Sequence, residues 1–133
     1  MSINANKQLV VDFFTHFVAA DVDSLLSLLN DDVIWKMMGQ QGGLPLSGEM
    51  DKSGIADFTK GAYELFSGSF KMMPKAWTID GDRIAVEVES LGIVNNEREY
   101  NNLYHYLFVL SKGKITTIKE YADTDLVRRV FID

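Results

Sequence analysis

The sequence predicts an α+β domain, in which helices precede a meander of mostly antiparallel strands. Apolar residues recur at helical spacing up to about residue 66, and strand-like segments follow from about residue 70. Short joints with good hairpin chemistry separate the later strands: Asp80-Gly81-Asp82, Asn95-Asn96 and Ser111-Lys112-Gly113. Helices first and strands afterwards is the order typical of α+β domains, where the helices lie on one face of the sheet.

Spacing and capping residues define the elements. Leu9, Val10, Phe13, Phe14 and Phe17 share one helical face, and an aspartate before a helical run is a strong capping signal. The predicted helices cover residues 4 or 6 to 20, a short run after Asp21 or Asp23, a run from Asp51 or Ser53 to about residue 66, and a last run from Asp123 or Thr124. The predicted strands cover residues 33–38, 70–79, 83–94, 98–110 and 114–122.

Composition and charge indicate which classes of protein fit this chain. The 133 residues are 47% hydrophobic and 24% charged, which is ordinary for one globular domain, so we expect a single domain over residues 1–133. A net charge of −6 with scattered basic residues argues against binding of nucleic acid. The sequence contains no run of about 18 apolar residues, so it predicts no membrane-spanning helix. The chain has no cysteine, so it has no disulfide framework. We predict a cytoplasmic location.

Residues 39–50 hold four glycines and a proline, which predicts a loop. The segment lacks the Gly-Lys-Ser/Thr ending of a phosphate-binding loop. A loop of this length without regular structure is usually functional or disordered, so we expect it to be a flexible lip of a pocket.

Strand alternation divides the side chains of the meander between two faces. In the long strand, Leu103, His105 and Leu107 share one face, and the opposite face carries the aromatic row Tyr104, Tyr106 and Phe108. A sheet that is apolar on both faces needs two covers, and the helices supply only one. Because an exposed aromatic row is unusual on a monomer, we expect a homodimer through the outer face of the sheet.

Several segments resemble a known family. Ala20-Asp-Val-Asp-Ser-Leu25, Asp31-Asp32 before the first strand, and the closing Gly113-Lys-Ile … Glu120-Tyr-Ala-Asp-Thr124 resemble the SnoaL-like relatives of polyketide cyclases and ketosteroid isomerases. These proteins belong to the nuclear-transport-factor-2-like superfamily. The resemblance covers the whole chain and implies a curved, mostly antiparallel sheet packed against three N-terminal helices. It therefore implies a cone-shaped pocket, in a cystatin-like α+β barrel.

The ketosteroid isomerases carry three chemical groups, which the resemblance maps onto this chain. Phe13 stands at the position of their helical tyrosine, their catalytic aspartate falls on or beside Met37, and their protonated acid falls on or beside His105. Two of the three groups are absent. The mapping therefore predicts that this chain does not isomerise steroids by that triad.

The limonene-epoxide-hydrolase-like relatives match the acids better. Their Arg-x-Asp pair resembles Glu87 and Glu89, with the arginine replaced, and their last acid resembles Glu120. These alignments imply a pocket-facing set on the sheet: Ala85, Glu87, Glu89, His105, Ile118 and Glu120.

This mapping gives two candidate sets of site residues. The predicted catalytic residues are His105, Glu89 and Glu120, with Glu87 modulating them. The predicted substrate-binding residues are Phe13, Phe17, Trp35, Met37, Leu103, Leu107 and Ile118. Burial and mutual repulsion both raise carboxylate pKa values, so we expect at least one of the three glutamates to have a raised pKa. A glutamate tuned in this way beside a histidine is a general acid–base pair.

Two functions fit this pattern. The leading hypothesis is a small-molecule enzyme, without cofactor or metal, using acid/base chemistry on a small apolar oxygenated substrate. Isomerase, cyclase, dehydratase and epoxide-hydrolase types are all compatible with it. The alternative is a non-catalytic domain that binds a hydrophobic ligand or a partner. In that case the acids pair with lysine and arginine, and the cavity is small.

Each polar candidate also has a structural interpretation. A metal site built from His105 and the glutamates is disfavoured, because the chain offers one histidine there and no cysteine. The structural alternatives are a solvated or subunit-facing surface for Glu87 and Glu89, a core or interface position for His105, an ion pair with Lys36 or Arg98 for Glu120, and a helix cap for Asp123.

Overall fold

Four helices and one six-stranded sheet make up the computed structural model, which describes residues 3–40, 44, 45, 47–95 and 97–133. The helices are α1 (Ile3–Ala19), α2 (Val22–Ser27), α3 (Lys52–Phe66) and α4 (Thr124–Phe131). The strands are β1 (Leu29–Met37), β2 (Gly48–Met50), β3 (Lys71–Asp80), β4 (Arg83–Val94), β5 (Arg98–Ser111) and β6 (Lys114–Ala122). The α+β order that the sequence predicts is confirmed.

The sheet is open, and its strand order is β2-β1-β6-β5-β4-β3. Strands β1 and β6 run parallel, and every other neighbouring pair is antiparallel. The pairing register shifts between Pro74 and Ala76 and between Val109 and Leu110. Such irregularities bend the strand that carries them, which helps the sheet to curve around its helices.

Aspartate side chains cap the N-termini of three helices. Asp21 accepts a hydrogen bond from the Ser24 backbone N–H at 3.3 Å, and Asp51 accepts one from Gly54 at 2.8 Å. Asp123 caps α4 in the same way, at 3.2 Å from the Leu126 nitrogen. Of the alternatives that the sequence left open, the structure thus selects Asp21, Asp51 and Asp123.

The core joins the aromatic face of α1 to the inner face of the sheet. The Phe13 ring is fully buried, and its centroid lies 5.5 Å from that of Trp35 on β1 and 5.3 Å from that of Phe108 on β5. Phe14 packs edge-on against Tyr106 at 5.1 Å. Edge-to-face aromatic pairs add about 0.5–1.5 kcal/mol beyond area burial. These contacts fix which face of β5 points inward.

The prediction of an exposed aromatic row on β5 is therefore wrong. Tyr104, Tyr106 and Phe108 are buried under the helices, whereas Leu103 on the opposite face is 69% exposed. Both faces of β5 are apolar, so alternation alone did not decide between them. The ring-filled interface with α1 takes the larger aromatic side chains, and the aliphatic ones lie outside.

No helix in the described ranges is long and apolar enough to cross a membrane. The cytoplasmic location stays a prediction.

Candidate functional site

A cavity of about 660 Å³ lies between the inner face of the sheet, helix α3, strand β2 and helix α4. Its wall is mainly aromatic and aliphatic, with Phe58 from α3, Phe70 before β3 and Phe131 from α4 among the lining residues. Small-molecule sites commonly have volumes of about 300–1,000 Å³ and apolar walls with a few polar groups. The dimensions of this cavity are those of a small-molecule site.

Glu120 on β6 places a carboxyl group in this apolar wall. Its Oε1 accepts two hydrogen bonds at 3.1 Å, one from Trp35 Nε1 and one from the Tyr106 hydroxyl. Burial raises the pKa of Glu120 to about 7, against an ordinary value of 4.5, and the two hydrogen bonds oppose the rise. Near neutral pH the group is therefore divided between its protonated and charged forms.

The two carboxyl oxygens of Glu120 differ in their hydrogen bonding. Oε2 accepts no hydrogen bond from the described residues, since both donors go to Oε1. No buried side-chain nitrogen or oxygen in the described part of the chain lacks a hydrogen-bond partner. Because Glu120 lines the cavity, Oε2 is the carboxyl oxygen that these donors leave free to accept or donate a proton there.

Glu49 on β2 is the other carboxylate among the described lining residues. Its side chain is 58% exposed and lies 3.8 Å from the Lys36 ammonium group. Exposed ion pairs of this kind contribute little free energy. Glu49 therefore belongs to the rim of the cavity and gives a natural comparison for Glu120.

A second polar group lies on the same wall, formed by Tyr100 and Tyr104 of β5. Their hydroxyl oxygens are 2.8 Å apart, and both residues line the cavity. The Asn102 amide donates to the Tyr100 hydroxyl at 2.8 Å, and the Ser90 hydroxyl donates to the Tyr104 hydroxyl at 3.0 Å. Burial raises the pKa of Tyr100, and it raises that of Tyr104 well above its usual range, so both phenols are neutral at physiological pH.

Comparisons with known proteins agree with this architecture. A family model described as a SnoaL-like domain matches residues 10–118. The chain belongs to the SnoaL-like domain family. A search of curated protein sequences found no match.

Solved structures extend the likeness to the whole fold. An NTF2-like protein of unknown function from Burkholderia pseudomallei K96243 is 20% identical, with a TM-score of 0.83 and all of both chains covered. An NTF2-like protein from Burkholderia xenovorans LB400 is 27% identical, with a TM-score of 0.78 and 97% of each chain covered. A putative SnoaL-like polyketide cyclase from Jannaschia sp. CCS1 is 16% identical, with a TM-score of 0.76, covering 96% of this chain and 92% of that one. The resemblance and the cone-type fold that the sequence implied are confirmed.

The structure brings part of the predicted site together in the SnoaL-like domain. Phe17, Trp35, Met37 and Glu120 line the cavity. Phe13 lies directly behind this wall, with its ring centroid 5.5 Å from that of Trp35, and it is fully buried. The remaining inward-facing candidate, Ile118, is also fully buried, paired with Trp35 and Phe108 in the sheet. Glu120 is bonded to Trp35 and Tyr106, not to Lys36 or Arg98.

The other predicted catalytic residues lie outside the cavity, on the outer face of the sheet. Glu87 and His105 are exposed and directly opposite each other across β4 and β5. Glu89 lies 3.7 Å from the Lys75 ammonium group and accepts a hydrogen bond from Asn101 at 2.9 Å. The prediction that three carboxylates and an imidazole converge on the pocket is therefore wrong. Leu103, Leu107 and Ala85 share this outer face, so the prediction that they face the pocket is wrong too.

The wrong face was assigned because the alignment was shifted by one residue along these two strands. Side chains alternate between faces, so an alignment shifted by one residue along β4 and β5 exchanges the inner and outer sets. The inner set of β4 is Ile84, Val86, Val88 and Ser90, all buried. That run is more apolar than the Glu87–Glu89 face, and this signal was available in the sequence.

Sequence reasoning missed the tyrosine network. Tyr100, Asn102, Tyr104 and Tyr106 stand at alternate positions on β5, and all four are buried. A hydroxyl or amide group at every second position from Tyr100 to Tyr106 indicates a polar row on one face of β5. That row became recognisable only once the inner face of β5 was known.

Of the predicted lip, Leu44, Pro45 and residues 47–50 line the cavity. Residues 41–43 and 46 lie outside the described residues. Strand β2 occupies its last three positions, where a loop was expected. Among the described residues no group of three or more His, Cys, Asp or Glu side chains could hold a metal ion.

Replacing Tyr106 with Phe is expected to raise the pKa of Glu120 above about 7. The hydroxyl bond from Tyr106 stabilises the charged carboxylate, so its loss favours the protonated form. NMR titration of the glutamate side-chain carboxyl carbons measures the shift. Tyr121→Phe, at an exposed tyrosine on the outer face, should leave the titration of Glu120 unchanged. An unchanged or lower pKa in Tyr106→Phe would show that this bond does not hold the carboxylate.

Proposed function

We propose that this SnoaL-like protein catalyses proton transfer on a small, largely apolar, oxygenated molecule, with Glu120 as its general acid–base. The observation that carries the proposal is the carboxyl group of Glu120, which has a pKa of about 7 and lies in the apolar wall of the cavity. A general acid–base is most effective when its pKa lies near the working pH. One oxygen of Glu120 is anchored by two donors, and the other is available to a substrate.

The chemistry is an enolisation-type step. The Glu120 carboxylate takes a proton from a carbon next to a carbonyl group, and the electron pair of the broken C–H bond moves toward the carbonyl oxygen. Return of that proton to a different carbon completes an isomerisation, with no net gain or loss of atoms. Alternatively, the enolate carbon attacks a second carbonyl group of the same molecule, which forms a ring C–C bond as the π electrons of that carbonyl move to its oxygen. The resulting alkoxide takes the proton back from Glu120, so the cyclisation also proceeds with no net gain or loss of atoms.

Two observations narrow the set of reactions that the sequence left open. Epoxide opening needs Glu87, Glu89 and Glu120 together in the pocket, and Glu87 and Glu89 lie on the outer face. This reaction is therefore disfavoured. The likeness to a putative SnoaL-like polyketide cyclase supports isomerisation or cyclisation of a carbonyl compound.

The non-catalytic alternative retains one observation in its favour. Glu89 and Glu49 pair with Lys75 and Lys36, as a binding domain with structural acids would predict. A cavity of about 660 Å³ is larger than that alternative predicts, and Glu120 has no basic partner among the described residues. The balance favours the enzyme.

The test follows deuterium from heavy water into the carbons next to the carbonyl of 2-tetralone, a bicyclic ketone. The proposal expects the protein to accelerate this exchange above the rate in matched buffer, with NMR as the readout. Ketone that exchanges no faster with the protein than without it, although it binds, would support the binding-domain alternative.

We also propose a homodimer through the outer face of the sheet. Its exposed apolar side chains come from neighbouring strands: Leu91 and Ile93 on β4, Leu103 on β5 and Tyr121 on β6. Because the aromatic row is buried, the proposal of a second copy on this face depends on these exposed side chains instead. Several exposed apolar side chains on one face of a sheet are typical of an interaction site.

Light scattering is expected to give twice the 15.0 kDa chain mass at micromolar concentration. Leu103→Lys should shift the protein toward monomer, because it places a charge in the centre of the proposed interface. Ile3→Lys, at a 57% exposed position on helix α1, should not. A monomeric unmodified protein would contradict the proposed dimer.

A further inference from the structure

The hydroxyl groups of Ser90, Tyr100 and Tyr104 form a network beside Glu120 that has one more hydroxyl proton than it has acceptors. Ser90, Tyr100 and Tyr104 each carry one hydroxyl proton, and only two hydroxyl–hydroxyl contacts join them. Asn102 donates its own N–H to the Tyr100 hydroxyl, so this bond accounts for none of the three hydroxyl protons. Whatever the direction of the central bond, one hydroxyl proton has no acceptor among the described residues.

The neighbours of the two tyrosines decide where that proton lies. Ser90 donates to Tyr104, and Asn102 donates to Tyr100, so both phenol oxygens already accept a hydrogen bond. One phenol then donates to the other, and the second phenol keeps a free O–H. Both phenols line the cavity, whereas Ser90 and Asn102 are buried behind them. The spare donor therefore belongs to the cavity wall.

We propose that the Tyr100–Tyr104 pair binds an oxygen atom of the substrate, and that the ligand class is therefore ketones and their enolates. The inference rests on the proposed function, because the oxygen bound here would be the one that gains charge when Glu120 removes a proton. A neutral donor in an apolar cavity stabilises such a developing charge better than water does, since it is already oriented. Once Glu120 has taken the proton it is neutral, so it does not repel the enolate.

Ser90 and Asn102 are positioning residues in this scheme. Asn102 Nδ2 also donates to the Asp123 backbone oxygen at 3.2 Å, and its Oδ1 accepts from the Leu103 N–H at 2.7 Å, which fixes the orientation of the amide. Because the amide can only donate to Tyr100, the Tyr100 proton must point elsewhere. The same holds for Tyr104 while Ser90 donates to it.

The experiment compares 2-tetralone with 2-methylenetetralin, in which a CH₂ group replaces the carbonyl oxygen. Calorimetry on the unmodified protein should show the ketone binding about five- to tenfold more tightly, the effect of one added hydrogen bond. Either single Tyr→Phe change leaves a hydroxyl proton available, so the double variant Tyr100→Phe/Tyr104→Phe is required. In that variant the ketone preference should disappear. Tyr121→Phe, on the outer face, should retain it.

A second measurement covers the case in which the double variant does not fold. In protein labelled with 3-fluorotyrosine, the ¹⁹F resonances of Tyr100 and Tyr104 should shift more with the ketone than with the methylene analogue. The proposal is overturned if the ketone has no advantage in the unmodified protein, whether both probes bind equally or neither binds. It is also overturned if a folded double variant keeps the preference.

Glu120→Gln separates this inference from the proposed function. The variant should lose deuterium exchange but keep the ketone preference, because the tyrosine network is intact. A ketone preference without any exchange in the unmodified protein would contradict the proposed proton transfer and leave the oxygen site standing. Exchange without a ketone preference would contradict the oxygen site alone.

Discussion

Glu120→Gln is expected to lower the catalysed exchange of 2-tetralone by about 10²–10⁴-fold, the range for loss of a general acid–base. Glutamine keeps an oxygen that can accept from Trp35 and Tyr106, so the wall of the cavity should persist. It cannot take up a proton. In the unmodified protein the exchange rate should rise with pH through about 7, as Glu120 becomes the charged base.

Glu49→Gln is the matched control, since it changes a carboxylate on the rim of the same cavity. It should leave the exchange rate within about twofold, as expected for an exposed pair of small energetic weight. Equal losses in the two variants would mean that the charge of the cavity, and not proton transfer by Glu120, supports the reaction.

The second large effect concerns stability and pH. The folded-state pKa of Glu120 is about 7 and its ordinary value is 4.5, so between these values the native state binds more protons than the unfolded chain. The contribution of this group to the free energy of unfolding is therefore fully present below about pH 4.5 and decreases as pH rises to about 7. The total loss is about 3 kcal/mol.

Urea denaturation at pH 5 and pH 8 measures this contribution. Relative to Glu120→Gln, which has no group to titrate, the unmodified protein should lose about 2–3 kcal/mol of unfolding free energy between the two pH values. The comparison cancels the titration of the other groups that both proteins share. An equal pH dependence in the two proteins would contradict burial of an ionisable Glu120.

The fold could be predicted because each element has a local signal. The aromatic spacing of α1 and the aspartate caps at Asp21, Asp51 and Asp123 depend on neighbouring residues only. The hairpin joints set the ends of β4 and β6, which the structure gives at the residues expected. Strand β2 was missed, because three residues pairing with β1 leave no periodic signature in the sequence.

The site was only partly predictable, because it depends on which face of each strand meets the helices. Glu120 was assigned correctly to the inner face, whereas Glu89 and His105 were not. On β5 both faces are apolar, and the decision lies in the packing of Phe14 against Tyr106 and Phe108. Contacts between residues so distant in sequence cannot be read from alternation. The raised pKa was expected for a glutamate, but its cause is burial and not repulsion among three carboxylates.

NMR titration of the Glu120 side-chain carboxyl carbon decides whether this group can exchange protons at neutral pH, with Glu120→Gln identifying the resonance. We expect a midpoint of about 7. A midpoint near the ordinary value of 4.5 would contradict the proposed role of Glu120, because the group would then be a solvated carboxylate without the means to exchange protons at neutral pH.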